Sequence, residues 1–177
     1  MKFYDSLDKK KKDLDIKNQK VTIYVCGVTT SDYSHLGHAF SSMVFEVLQK
    51  YLEYKKIQVT RIQNFTDVDD KIIAKAIKEE LTMNQVSEKY INAFIEDMDK
   101  LKIKKADSYP KATDEIPNII NFIKKLESKG FTYNLNGSVY FKVKNKEDYG
   151  KLSRRDLDNI VQGTRVDLSL IHISEPT

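Results

Sequence analysis

A chain of 177 residues with 40% hydrophobic and 32% charged residues can bury the core of one ordinary domain, or of one domain with a small insertion. No apolar run approaches the roughly twenty residues of a membrane span, and the start MKFYDSLDKKKKD has no apolar signal stretch, so the chain reads as soluble and cytoplasmic. A single cysteine excludes a disulfide scaffold, three histidines beside it argue against a self-contained four-ligand zinc site, and a net charge of +4 permits a polyanionic partner without requiring one.

The densest basic run, Lys9 to Lys12 before Asp13 and Asp15, predicts a solvated surface loop. Val21 to Cys26 is a continuous β-branched and aromatic run ending at Gly27, the pattern of a strand buried on both faces of a parallel sheet. After the polar stretch Thr29 to Ser34, the residues Phe40, Met43, Val44, Val47, Leu48, Tyr51 and Leu52 recur at helical steps. They predict a helix from about His35 to Tyr54 with this stripe as its apolar face. Ile57 to Phe65 reads as a second strand, and Thr66-Asp67-Val68-Asp69-Asp70 leads from it into a helix over Lys71 to Glu80. Strand, helix, strand, helix predicts an α/β fold with a parallel sheet.

Thr82 and Gln85 have the spacing of a capping box, and Val86, Tyr90, Ala93, Phe94, Met98 and Leu101 continue as a long amphipathic helix. The composition shifts around Ala106 to Thr113, where Pro110 marks a break. Thr113 is placed to cap a helix carrying Ile116, Ile119, Ile120, Ile123 and Leu126 and stopped by Gly130. Phe131 to Val143 alternates on both sides of Asn136-Gly137, a hairpin signal because both central residues of a type I′ turn need positive φ. Ser153 and Asp156 have the spacing of a capping box for a short helix ending at Gly163. The part from about Tyr109 onward therefore reads as a small α+β insertion on the α/β part.

Chemistry concentrates at the carboxyl edge of the expected sheet, where ligands of open α/β folds bind. His35-Leu36-Gly37-His38 falls where the first loop enters the first helix. The free N–H groups there favour anions, and two imidazoles one turn apart can donate to phosphate oxygens. Cys26 sits at the same edge and has three readings: a small buried hydrophobe, half of a Cys-His pair, or a zinc thiolate that must borrow ligands, His172 being the remaining histidine. Thr66 to Asp70 reads first as a helix cap with acids in the first turn. A magnesium site is the other reading, without the glycine and distal glutamate of a calcium loop. Cys26-Gly27, His35 to His38 and Asn64 to Thr66 are expected to line one cleft.

The run Cys26-Gly27-Val28-Thr29-Thr30-Ser31-Asp32-Tyr33-Ser34-His35-Leu36-Gly37-His38 resembles the C-G-P-T-V-Y-D-x-x-H-I-G-H signature of cysteinyl-tRNA synthetases, which are class I enzymes. Asn64 to Ile72 resembles the N-x-T-D-x-D-D-K-I segment of the same family, and Pro110-Lys111-Ala112-Thr113 its P-R-A-T. Asn136 to Phe141, Tyr149 to Arg154 and Gly163 to Asp167 continue the likeness, which runs from about Phe3 to Asp167. The resemblance implies the first half of a Rossmann-like nucleotide-binding domain over residues 1–108, a connective insertion over 109–167, and a non-family tail over 168–177. It implies activation of L-cysteine by ATP with Mg2+ to cysteinyl-adenylate, then transfer to tRNA(Cys), by a protein that is monomeric at full length. His35 and His38 would steady the phosphates, with Gly37 and Ser41 also at the adenylate. Gly27, Thr29, Asn64 and Thr66 would meet cysteine, and Cys26 would be one ligand of one Zn2+ per full-length subunit.

Val28 stands where the family has proline, Thr30 and Ser31 where it has Val-Tyr, and Phe40 where many members carry arginine. The family's further zinc ligands and K-M-S-K-S loop have no counterpart here, and Leu168 to Thr177 reads as translated adapter sequence, so the chain alone is expected to be inactive. Three alternatives remain. The cysteine ligase of mycothiol synthesis is disfavoured by the AT-rich bias toward Lys, Ile and Asn, and a small H-x-G-H nucleotidylyltransferase by the segment from Asn64 to Asp70. A noncatalytic nucleotide- or RNA-binding fragment is the third.

Overall fold

The computed structural model describes residues 1–154, so the expected helix from Ser153 to Gly163, the residues Arg165 to Asp167, the tail 168–177 and His172 lie outside the described residues. The chain forms two compact units, one of Asp15–Lys124 and one of Met1–Leu14 with the residues from Lys125 onward.

In the first unit β3 (Lys20–Thr29) and β4 (Gln58–Thr66) pair in parallel, joined by α1 (Leu36–Tyr54). α2 (Asp70–Glu79) and α3 (Met83–Lys100) follow, and the chain then returns along the free edge of β4, where Ser108 bridges Ile62 and Lys111 bridges Phe65, both in parallel. Local chemistry starts α2 and α3 where the sequence predicts. Thr82 and Gln85 form a reciprocal capping box on α3, and Asp69 accepts the Lys71 N–H at 2.9 Å to cap α2.

Three expectations for this unit need correction. β3 is buried on one face only: Val25 is enclosed, whereas Tyr24 and Cys26 are exposed, because α1 and α3 pack on a single side of the sheet. Most of the predicted stripe of α1 faces outward, with Phe40, Met43, Val44, Val47 and Tyr51 all exposed and Leu48 half-buried; of the stripe only Leu52 is buried, beside Ala39, Ser42, Glu46 and Gln49. The reason lies in β4, whose inward Arg61 is almost fully buried and needs polar company. Its guanidinium donates to the Lys104 carbonyl, and its backbone N–H donates to Asp107 at 2.7 Å. Burial pushes the Glu46 carboxyl up, but the Lys104 N–H, the Lys50 ammonium and the Arg61 charge outweigh it and hold the group below the usual carboxylate range. Finally, Thr113 does not cap the next helix, α4 (Ile116–Ser128). Its N–H donates to Asp67 Oδ1 at 3.0 Å and its hydroxyl to Asp67 Oδ2, which ties the segment after Pro110 to the end of β4.

The unit's larger core cluster gathers Ala39, Phe65, Ile91, Phe94, Met98 and Ile103, with Val28 and Tyr109 against it. A second cluster, Ile72, Ala76, Val86 and Tyr90, joins α2 to α3.

In the other unit, Lys10–Asp13 is not a loop but a strand, β2, antiparallel to β1 (Lys2–Asp5). The register sets Lys2 against Asp13 and Asp5 against Lys10, so the basic run is tolerated by opposite charges across the ladder. β5 (Thr132–Leu135) and β6 (Ser138–Phe141) form the expected hairpin, with φ of +49° at Asn136 and +80° at Gly137.

Candidate active site at the carboxyl ends of two parallel strands

The alternation of β3 and β4 sorts their side chains into two faces. Val25, Val28, Arg61, Gln63 and Phe65 point toward the helices, whereas Tyr24, Cys26, Thr29, Asn64 and Thr66 belong to the open face. Four residues singled out in the sequence, Cys26, Thr29, Asn64 and Thr66, therefore share one face at the carboxyl ends of the strands. Cys26 is exposed, which removes the reading of a small buried hydrophobe.

Gly27 is the close-approach residue of this edge. A Cβ at Gly27 would fall inside the van der Waals radius of the Asn64 carbonyl oxygen. Its N–H donates to Asn64 Oδ1 at 2.9 Å, the Tyr24 hydroxyl donates to the same oxygen at 2.9 Å, and Asn64 Nδ2 donates to Thr66 Oγ1 at 3.3 Å. The Asn64 carboxamide is thus occupied within the protein at both ends.

At the same edge the chain leaves β3 through Thr30, whose N–H donates to the Thr66 carbonyl at 3.1 Å and whose hydroxyl lies 2.6 Å from that of Ser87 on α3. Asp32 and Tyr33 then anchor the loop, Asp32 by an ion pair with Lys75 at 3.3 Å and Tyr33 by an edge-on contact with the Tyr90 ring at 5.1 Å. The Tyr33 N–H and the Lys75 ammonium hold the Asp32 carboxyl below its usual range. Sequence reasoning missed Tyr24 and Ser87 as parts of this edge, and gave Asp67 a cap or metal role rather than its hold on Thr113. No local signal marks them, since Ser87 and Thr30 stand 57 positions apart.

His35 is the N-cap of α1 and forms a reciprocal box with His38: His35 Nδ1 accepts the Gly37 N–H at 3.1 Å, and His38 Nδ1 accepts the His35 N–H at 3.3 Å. A nitrogen that accepts an N–H carries no proton, so in the neutral rings both protons sit on Nε2. The cap therefore presents two Nε2–H donors on stacked imidazoles with centroids 3.9 Å apart. Gly37 permits this arrangement, because a Cβ there would press on the His35 ring at 2.9 Å. The first turn of α1 carries no acidic residue, so the positive end of the helix dipole is uncompensated. Ser41 is exposed three residues beyond His38. Leu36, Gly37, Ala39, Phe40, Met43 and Leu101 line an apolar cavity of about 430 Å3 beside this terminus, which is where Phe40 places its ring.

Partial burial, and after it the neighbouring His35, hold His38 below the ordinary imidazole value of 6.5. The folded state therefore favours the neutral ring, and protonation also removes the Nδ1 acceptor of the box. This contribution to stability is complete above about pH 6.5 and is lost as pH falls through the lowered pKa of His38. A titration of the His38 ring by NMR is expected to give a midpoint below about 6.5, and a midpoint at or above that value contradicts the capped geometry.

Among the described residues no group of three or more His, Cys, Asp or Glu could hold a metal ion, and Cys26 by itself is one donor. The described donor set therefore does not fit zinc. No helix among the described residues is long and apolar enough to cross a membrane.

Residues 13–172 match the family model described as tRNA synthetases class I (C) catalytic domain. A cysteine–tRNA ligase of Gloeothece citriformis is 46% identical over 168 residues, which is 93% of this chain and 35% of that protein. A cysteine–tRNA ligase of Archaeoglobus fulgidus is 46% identical over 162 residues, or 90% of this chain and 35% of that protein. The chain thus spans about a third of the length of the curated relatives it matches. The solved methionyl-tRNA synthetase of Mycobacterium tuberculosis, in complex with methionyl-adenylate, superposes with a TM-score of 0.56 at 12% identity, covering 68% of this chain and 28% of that one, so the fold is shared.

Proposed function

This chain belongs to the family of class I (C) tRNA synthetase catalytic domains, and from that premise we propose that its protein activates L-cysteine with ATP and Mg2+ and transfers it to tRNA(Cys). The observation that carries the reading is the histidine box at the start of α1. It fixes both imidazoles in the tautomer that donates from Nε2, at a helix end with no acid in its first turn.

In the first step the cysteine carboxylate attacks the α-phosphate of ATP and pyrophosphate leaves; a ribose hydroxyl of the tRNA then attacks the cysteinyl carbonyl of the adenylate and AMP leaves. An in-line displacement of this kind needs charge stabilisation on the phosphoryl oxygens more than proton transfer, which is what neutral, preoriented Nε2–H donors supply. The lowered pKa of His38 keeps that ring in the donating neutral form at neutral pH. Cys26, Thr29 and Thr66 on the open face would meet the amino acid, with Gly27 leaving room beside them. The described residues do not compose a zinc site, Cys26 being a single donor.

Cysteine-dependent exchange of pyrophosphate into ATP tests the reading. The 177-residue chain alone, which spans about a third of its relatives, is expected to show none, and a longer protein that carries residues 1–167 within the relatives' full length is expected to show it. In that longer protein His38→Ala should lower the exchange rate by about a hundredfold, the effect of losing one oxyanion donor. Exchange that responds to another amino acid, or that is indifferent to His38→Ala, overturns the proposal.

A further inference from the structure

Residues three apart in an uninterrupted strand project to opposite faces of a sheet. Cys26 and Thr29 break that rule, since both are exposed while Val25 and Thr30 are buried. The register gives the cause. Val25 pairs with Gln63 and Val28 with Phe65, so that Cys26 and Gly27 together stand opposite Asn64 alone. This is a β-bulge, and its extra residue resets the alternation: Val28 turns to the core and Thr29 turns outward. A regular strand would have sent Thr29 inward. The bulge is braced from the opposing strand, where Asn64 Oδ1 accepts both the Gly27 N–H and the Tyr24 hydroxyl at 2.9 Å, while Nδ2 reaches Thr66 Oγ1 at 3.3 Å.

We propose that Asn64 is a positioning residue rather than a substrate contact: its carboxamide pins the bulge at Gly27 and so brings Thr29 onto the face that Cys26 and Thr66 share. A small amino acid with a thiol, an ammonium and a carboxylate then meets three polar side chains together instead of two. What this face binds rests on the function proposed above; the bulge and its brace do not.

The test uses the chain's sole cysteine as one end of a ruler. Val28→Cys and Thr29→Cys each add a second thiol, and dibromobimane fluoresces strongly only when two nearby thiols displace both of its bromides. With the bulge, Cys26 and position 29 become bridged and Cys26 and position 28 do not; a regular strand gives the reverse, which overturns the proposal. In the Thr29→Cys background Asn64→Ala should lower the bridged yield by at least about fivefold, whereas Asn64→Asp, which keeps the acceptor oxygen, should stay within about twofold. Unchanged bridging in a folded Asn64→Ala variant refutes the positioning role. If Asn64→Ala does not fold, hydrogen exchange at the Gly27 amide of the unsubstituted chain decides. Slowing by at least about tenfold relative to an unstructured peptide supports the brace, and exchange at the peptide rate refutes it. None of these measurements depends on ATP, tRNA or metal, so their failure is distinct from failure of the proposed activity.

Discussion

Gly27→Ala is expected to destabilise the unit of Asp15–Lys124 by about 3 kcal/mol, the upper part of the range for overpacking, because the added methyl meets backbone rather than side chain. The Asn64 carbonyl belongs to a strand paired in register with β3 and cannot swing aside as a flexible side chain would. Relief requires the bulge to open, which also strands the Gly27 N–H and frees Asn64 from Tyr24. Urea unfolding followed by far-UV circular dichroism should show a lower midpoint with the same slope. A variant within about 0.5 kcal/mol of the parent would mean that the two strands do not approach as closely as described.

Phe65→Ala is expected to cost about 3–5 kcal/mol, the usual range for emptying an aromatic site in a closed core. Phe65 is 1% exposed. Its ring stacks on Tyr109 with centroids 5.2 Å apart and meets Phe94 edge-on at 5.6 Å, so one side chain joins β4, α3 and the segment before Pro110. A domain of this size has a net stability of about 5–15 kcal/mol, so the loss leaves little reserve. Phe65→Leu should retain most of it, at a cost below about 1.5 kcal/mol. Thermal unfolding of the two variants separates the cases. Equal melting temperatures for Ala and Leu would show that the site collapses around the missing ring and that the cluster is not closely packed.

The two substitutions flank Asn64, one across the strand pair and one next to it in β4, and they illustrate why some features are legible in the sequence and others are not. The box of Thr82 and Gln85, the turn at Asn136-Gly137 and the histidines at the start of α1 follow from chemistry within a few residues, and the structure shows each where the spacing puts it. The β-branched run from Val21 and the second strand were equally plain, because period and composition are local properties. The apolar stripe of α1 predicts its buried face, yet the helix turns Glu46, near the buried Arg61 of β4, and Gln49 inward and leaves Phe40, Val44 and Val47 exposed, with only Leu52 of the stripe buried. Asp67 likewise looked like part of a helix cap. Asp69 has that role, while Asp67 holds Thr113, 46 positions away.

The sequence by itself determined the strand-helix-strand-helix order from Val21 onward, the caps of α1, α2 and α3, the Asn136-Gly137 turn and which segments carry chemistry, because those depend on interactions over three or four residues. It also carried the family, through motifs that keep their identity wherever the chain folds. Only the tertiary structure decided which side of each element faces in, that Cys26 and Thr29 share a face, and that the Asn64 carboxamide bonds Gly27, Tyr24 and Thr66. The physical reason is phase: one bulged residue reverses every side chain that follows it in a strand, and whether that residue is inserted depends on a carboxamide and a carbonyl 37 positions away.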